Sequence, residues 1–504
     1  MNSSFSASIT RLLAAAAVLS ITACSKDDAV SETREDLRRS VKVQPSWRNH
    51  PGTTAKNNAV PLAEPTDEQR ALFDRELPSK AGTDRLLLSV WAKQFNDPVL
   101  EQIVTAALYS SPDLRSMLSR VAEARARRGL ERANLLPTIN GYLDARQNYR
   151  RDHKVTHRTT SSDLYTAGFA ATWEIDLFGK YRASTDAATA EIAVTEENFR
   201  GAQISLVAEI AETYVLLREA EARLGVIGRN VDTREETARI SKWREETGTG
   251  DAFEAQQATS SLAQARAALP PIRHEIEQAR IRLAILAGKT PGALDSVLDT
   301  KSSVTLPENA TDADKALATL PVAPAADLKP GVPAVVLSRR PDIGAASKAA
   351  IAASLRRKST EREWYPTINL SGAIGIEALK AGNLFSPEAT VGSVLAGLTQ
   401  PIFNGWRISQ NIDISTEIQK QAVIEYEVAV LNALGEVEDA LFAVRSAAER
   451  LDTLKKATNI AADNARIANF KYQSGLTDFT DVLETQRVKL SLEEQTLASA
   501  AEQS

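Results

Sequence analysis

The feature that most narrows what this chain can become is a proline-bracketed unit that occurs twice. Pro112-Asp113 and Leu136-Pro137-Thr138-Ile139-Asn140 enclose one Ala-rich run, and Pro341-Asp342 and Tyr365-Pro366-Thr367-Ile368-Asn369 enclose another with the same separation between prolines. Pro starts a helix without losing a hydrogen bond, and a second Pro stops it and hands the chain to an extended segment. After Pro137, Ile139, Gly141, Leu143 and Ala145 alternate with Thr138, Asn140, Tyr142 and Asp144. After Pro366, Ile368, Leu370, Ile374 and Ile376 alternate with Asn369, Ser371, Ala373 and Gly375. Period two specifies strands, and return strands are expected over 165–178 and 391–403. The chain therefore reads as a duplication of helix, β-hairpin and helix.

Each hairpin hands over to an unusually long helix. Residues 183–246 contain no proline, and a helix of about 60 residues is roughly 90 Å long. Ile210, Thr213, Leu217, Ala220, Leu224, Ile227 and Val231 alternate spacings of three and four, as do Leu434, Val437, Leu441, Val444, Ala448 and Leu451 in the second copy, expected as a helix over 406–474. That is the narrow stripe of a coiled coil. Glycine turns end both helices: Gly248-Thr249-Gly250-Asp251 and Gly475-Leu476-Thr477-Asp478. Gly supplies the left-handed residue, and Asp251 or Asp478 can cap the returning helix. Pro270-Pro271 predicts a bend or break in the first return, over 252–287, and the second return is expected over 479–501.

Chemistry is sparse. No Gly-rich nucleotide loop, zinc-ligand set or nucleophile triad is present, so no catalytic residue, metal site or cofactor is expected. His153 and His157 have metalloprotease spacing, yet Lys154 occupies the place of the Glu base, and the stretch 147–162 reads as a solvated loop. The net charge of −5 with scattered basic residues argues against nucleic acid. At the N-terminus, Arg11 precedes an apolar core too short to span a bilayer, followed by Ile21-Thr22-Ala23-Cys24. Residues 1–23 read as a secretory leader, and Cys24, the single cysteine, excludes a disulfide within the chain. Residues 25–65 read as an extended tether and 66–77 as a short helix.

Leu337-Ser338-Arg339-Arg340-Pro341-Asp342-Ile343, the paired hairpins and the glycine turns resemble the TolC-like outer membrane factor family, in particular its NodT-type lipoprotein channels. Arg339, Arg340, Pro341 and Asp342 carry the most specific part of the likeness, which covers the chain from Trp91 to Leu483. The resemblance implies a mainly α chain with a membrane β-barrel. Three copies, each giving four strands, would close a twelve-stranded barrel continuous with a long periplasmic α-helical barrel. It divides the chain into a lipoprotein signal (1–23), a tether with a short helix (24–90) and a first repeat with linker (91–330, hairpin 137–178). A second repeat follows (331–504, hairpin 366–403). It also implies lipidation of Cys24 and an outer-membrane location, which Ser25 favours because Asp there is the usual inner-membrane signal.

By the same resemblance, Asp481, Glu484 and Glu254 correspond to acids that constrict the periplasmic aperture, and Arg244 and Tyr472 to closed-state links near the tip. Gly248, Asp251, Gly475 and Asp478 mark the tips, where residues 248–253 and 475–479 would meet a periplasmic adaptor. The family often has Arg two residues after the second-copy glycine; Thr477 departs from that pattern. The plainer account of Asp478 and Asp481 is compensation of a helix dipole. With no nucleotide site, transport is expected to be driven by an inner-membrane pump acting through the adaptor. The implied function is a passive exit duct of a tripartite efflux system for drugs or small toxic compounds. The alternatives are an exit duct for metal ions or type I protein secretion and, more distantly, a soluble coiled-coil scaffold.

Overall fold

In the computed structural model the described residues are 87–151, 159–300, 312–321 and 337–504. The leader, Cys24, the tether, the 66–77 helix, His153 and His157 lie outside them.

The first half comprises α1 (Pro98–Ser110), α2 (Pro112–Ala133), β1 (Thr138–Arg151), β2 (Thr159–Ile175), α3 (Lys180–Glu246), α4 (Ala252–Ala267) and α5 (Leu269–Leu286). Two short helices follow, α6 (Asp295–Leu298) and α7 (Asp312–Leu317). The second half comprises α8 (Pro341–Glu361), β3 (Thr367–Ala378), β4 (Thr390–Thr399), α9 (Arg407–Gln473) and α10 (Phe479–Gln503). The duplication is therefore present as α2-β1-β2-α3-α4 and α8-β3-β4-α9-α10. Strands β1 and β2 extend into 147–162, so the segment expected as loop is largely hairpin. The first return helix breaks at Ala268, directly before Leu269-Pro270-Pro271.

The two long helices each have 67 residues, about 100 Å at the helical rise. Both start from a left-handed residue, Gly179 (φ 79°) before α3 and Trp406 (φ 69°) before α9. Both end in a tight backbone turn. Gly250 N donates to Arg244 O at 2.9 Å and Leu476 N to Lys471 O at 2.8 Å, with Gly248 and Gly475 left-handed, which satisfies carbonyls the helix end would leave open.

The strands form one antiparallel sheet in the order β1-β2-β3-β4. The row Tyr142↔Gly168↔Gly375↔Val391 fixes its register. One face then carries Ile139, Leu143, Phe169, Ile368, Leu370 and Ile374, and the other Asn140, Tyr142, Asp144, Thr172, Ser371 and Glu377. Among the described residues β1 and β4 are unpaired on their outer sides, and every residue of β4 is exposed.

The helices keep the same lateral order as the strands. Arg125 pairs with Glu196 at 3.2 Å between α2 and α3, Arg356 with Glu191 between α8 and α3, and Arg357 Nη1 donates to Gln419 at 3.1 Å between α8 and α9. Farther from the sheet, α4 and α5 take the place of α2 beside α3, shown by Arg266–Glu235 at 2.9 Å. α10 takes the place of α8, shown by Thr458 and Thr496 hydroxyls 2.8 Å apart.

The largest core lies midway along α3, where α1, the start of α2, the end of α5 and α6 add a second layer. Phe199, Ile210, Tyr214 and Leu217 are buried there against Leu100, Ile103, Leu283 and Leu298. Asp97 caps α1, accepting from Val99 N at 2.9 Å, and also accepts from the Tyr214 hydroxyl at 2.7 Å. Arg218 Nε donates to that hydroxyl at 3.0 Å, and its Nη1 donates to Leu298 O at 3.0 Å. Burial raises the Tyr214 pKa despite the Arg218 charge, so the phenol stays a donor.

The two stripes differ. Ile210, Leu217, Ala220, Ile227 and Val231 are buried, whereas Leu434 is exposed and Val437, Leu441 and Val444 are half-buried. α8 contacts α9 as far as Glu436, and α10 ends where Glu502 pairs with Arg450 at 3.0 Å. Between these points Leu434 and Phe442 are left exposed by the described residues.

Candidate functional site

The far end of the helices holds most of the residues singled out in the sequence. Ala238, Ala258, Ala468, Tyr472, Phe479 and Val482 form a buried cluster joining the α3–α4 and α9–α10 hairpins. Tyr472 is 4% exposed, its ring centroid 5.6 Å from that of Phe479 and 5.1 Å from the Arg244 guanidinium. Its hydroxyl donates to Glu254, and Arg244 lies 3.8 Å from the same carboxylate. Burial, then the hydrogen bond to Glu254, raises the Tyr472 pKa, which keeps the donor proton in place across the physiological range.

Glu254, expected at the aperture, and Arg244 and Tyr472, expected as closed-state links, are thus one cluster. Glu254 sits in the wall between hairpins, bound to Tyr472 and near Arg244, rather than presenting a free carboxylate. Asp251 caps α4 by accepting from Phe253 N at 3.2 Å. Asp478 differs from the sequence reading, because its side chain makes no capping bond to α10. The hydroxyl of the preceding residue, Thr477, reaches Asp481 one turn on and ties down the start of that helix instead.

Asp481 and Glu484, three residues apart, share an exposed face of α10. Glu484 is clasped by Arg487, with Nε–Oε2 and Nη2–Oε1 distances of 3.0 and 2.8 Å, and that bond holds its carboxyl below the usual range. Arg487 therefore offsets one of the two acids.

The signature residues lie far from the tip. Arg340 grips Asp342 through Nη2 at 2.8 Å and reaches Glu436 on α9. Asp342 also accepts from Ile343 N at 2.9 Å, so Arg340 fixes the start of α8 and pins it to α9. The Arg340 bond keeps the Asp342 carboxyl below its ordinary pKa. Pro341 is buried and Arg339 exposed.

The Asp97–Tyr214–Arg218 hub was not legible beforehand. Asp97-Pro98 signals a cap, but its pairing with a tyrosine 117 residues later leaves no local pattern. Among the described residues, no group of three or more His, Cys, Asp and Glu could hold a metal ion. Among the same residues, no helix is long and apolar enough to cross a membrane.

Residues 103–289 and 332–504 match the family model described as outer membrane efflux protein. The chain belongs to that family. This outer membrane efflux protein is 29% identical over 399 residues to the outer membrane protein OprJ of Pseudomonas aeruginosa, spanning 79% of this chain and 80% of that one. It is 28% identical over 417 residues to the toluene efflux pump outer membrane protein TtgF of Pseudomonas putida, spanning 82% of each. The solved structure of the outer-membrane channel OprN superposes with a TM-score of 0.74 at 27% identity, covering 92% of this chain and 96% of that one. The family is a transport component, a passive channel of the outer membrane. The gap between the two matched segments contains α6 and α7.

Proposed function

We propose that three copies of this outer membrane efflux protein close into a single duct, anchored by lipid on Cys24, through which an inner-membrane pump expels small toxic compounds by way of a periplasmic adaptor. The observation that carries the reading is the open four-stranded sheet, apolar on one face and unpaired at β1 and β4, running directly into helices in the same lateral order. Such a sheet does not survive in lipid, where every backbone group needs a partner, so other copies must supply the missing edges. The same closure buries the uncovered middle of α9, including Leu431, Leu434 and Phe442, against a neighbour. The polar sheet face, with Asn140, Asp144 and Glu377, becomes the lumen wall.

At the far end the two hairpin tips are the adaptor surface, offered by exposed Phe253 and Leu476. Asp481 lines the aperture, and the Tyr472–Glu254–Arg244 cluster holds the two hairpins in their closed relation. An adaptor opens such a tip by binding the separated hairpins better than the joined ones. The relative named for toluene efflux supports small apolar compounds as the cargo class.

The test is the purified full-length protein, examined for mass in detergent and for conductance in planar bilayers. A trimer that inserts and conducts is the expected result. A water-soluble monomer, or a trimer that never conducts even with its tip cluster disrupted, overturns the proposal.

A further inference from the structure

A basic pocket lies where the helices meet the sheet. Ser354, Arg357, Lys358, Glu361, Arg362 and Tyr365 from α8 and the turn after it, with Gln419 of α9, line about 540 Å³. Arg357 is already engaged, by Glu361 at 2.8 Å and Gln419 at 3.1 Å. Lys358 and Arg362 form no ion pair with any described residue, so the pocket carries two uncompensated positive charges.

Its level and its direction are both fixed. Tyr365 immediately precedes Pro366 and the start of β3, and its ring stacks on Phe178 at 5.0 Å with planes 22° apart. At the same level the other junction exposes Phe403 (81%) and Trp406 (71%) just before α9. Aromatic rings concentrate where a membrane protein passes from hydrocarbon to headgroups.

Direction follows from the duplication. Pro341 of α8 corresponds to Pro112 of α2, which makes Ser347 the counterpart of Leu118. Leu118 belongs to the buried cluster that contains the second-layer helix α1, and a hollow row of helices can carry a second layer only on its outside. From Ser347 the outward stripe continues through Ile351, Ser354, Lys358 and Arg362 at helical spacing. The pocket therefore opens outward, not into the duct.

We infer that this pocket binds the headgroup phosphate of an anionic phospholipid in the periplasmic leaflet of the outer membrane. Lys358 and Arg362 would meet the phosphate, guanidinium against paired oxygens, and the two-charge excess favours an anionic headgroup over a zwitterionic one. Each copy of the chain would be seated at a set height in the bilayer by one such lipid, independently of the lipid on Cys24. The inference rests on the reading of the strands as the membrane portion.

The test is native mass spectrometry of the full-length protein in detergent with phosphatidylglycerol, with phosphatidylethanolamine, or with phosphatidylglycerol plus millimolar inorganic phosphate. Wild type is compared with Lys358→Gln, Arg362→Gln, the double variant and the tip control Arg466→Gln. Expected are selective retention of phosphatidylglycerol by wild type and about fivefold weaker binding for each pocket charge removed, with the control unchanged. Equal phosphatidylglycerol retention by the folded double variant overturns the inference. Displacement by inorganic phosphate overturns the lipid assignment and leaves a site for a free anion. If wild type neither retains lipid nor conducts, the duct proposal itself fails; a conducting wild type whose variants bind lipid normally refutes the pocket alone.

Discussion

The Tyr472 hydroxyl donates to the Glu254 carboxylate, joining residues 218 apart in sequence that belong to different helical hairpins. The bond is sheltered by Phe479 and Val482, and the Ser241 hydroxyl and the Arg244 guanidinium are its polar neighbours in the joint. Each hairpin could keep its own helices without it; what it sets is the distance between them.

Tyr472→Phe keeps the ring and removes the donor. A hydrogen bond to a charged group contributes about 1.5–3 kcal/mol, so a closed tip should lose at least a tenfold bias toward closure. The expected outcome is a larger open fraction in single-channel recordings with trimer mass unchanged. Open probability equal to wild type would show that the hairpins separate elsewhere.

Asp481 and Glu484, proposed for the aperture, should not behave alike. Glu484 is clasped by Arg487, whereas among the described residues Asp481 accepts from the Thr477 hydroxyl and meets no cation. Asp481→Ala is expected to weaken cation preference more than Glu484→Ala, and Arg487→Gln to strengthen it by releasing a carboxylate. The double variant Asp481→Ala/Glu484→Ala should assemble normally. Reversal potentials under a salt gradient decide; identical shifts for the two single variants would contradict the geometry.

How much of this was legible in the sequence follows from the range of each interaction. Pro112, Pro137, Pro341 and Pro366 act on their own helices, and the period-two pattern acts on its own strand, so the duplicated plan is written locally. The pairing of β2 with β3, which places Gly168 opposite Gly375, joins the two repeats and left no mark in either. The motif Arg340-Pro341-Asp342 was visible, but its third partner Glu436 lies on another helix. Nothing near Glu254 in sequence announces its bond to Tyr472, so the resemblance alone places it with the aperture acids. The second coiled-coil stripe is legible as a spacing, yet the described residues leave Leu434 exposed, because spacing does not say which surface covers a stripe.

Burial raises the pKa of Glu219 on α3 and Glu494 on α10, with Arg223 opposing the shift at both. A carboxyl whose folded pKa lies above its unfolded value contributes fully below the unfolded pKa and loses that contribution as pH rises through the folded one. These two groups therefore favour the folded wall near pH 4 and weaken it toward neutrality. Glu494→Gln should raise the melting midpoint at pH 7.5 and give no gain near pH 4. A gain of the same size at both values would assign the effect to packing.

Gly288 and Gly248 both hold left-handed conformations, with φ of 67° and 69°, but only one is enclosed. A Cβ on Gly288 would lie 2.3 Å from the Ser110 carbonyl oxygen, whereas one on Gly248 meets nothing within 4 Å. Ser110 cannot simply retreat, because its hydroxyl donates to Ala106 O at 2.7 Å or Ala287 O at 2.6 Å, binding the α1–α2 corner to the end of α5. Alanine at Gly248 should cost only the left-handed penalty, about 1 kcal/mol. At Gly288 the forced backbone shift adds to it, for a total of about 3 kcal/mol. Thermal unfolding of the two variants side by side isolates the close approach: the midpoint should fall markedly further for Gly288→Ala, and equal falls would mean that the corner yields.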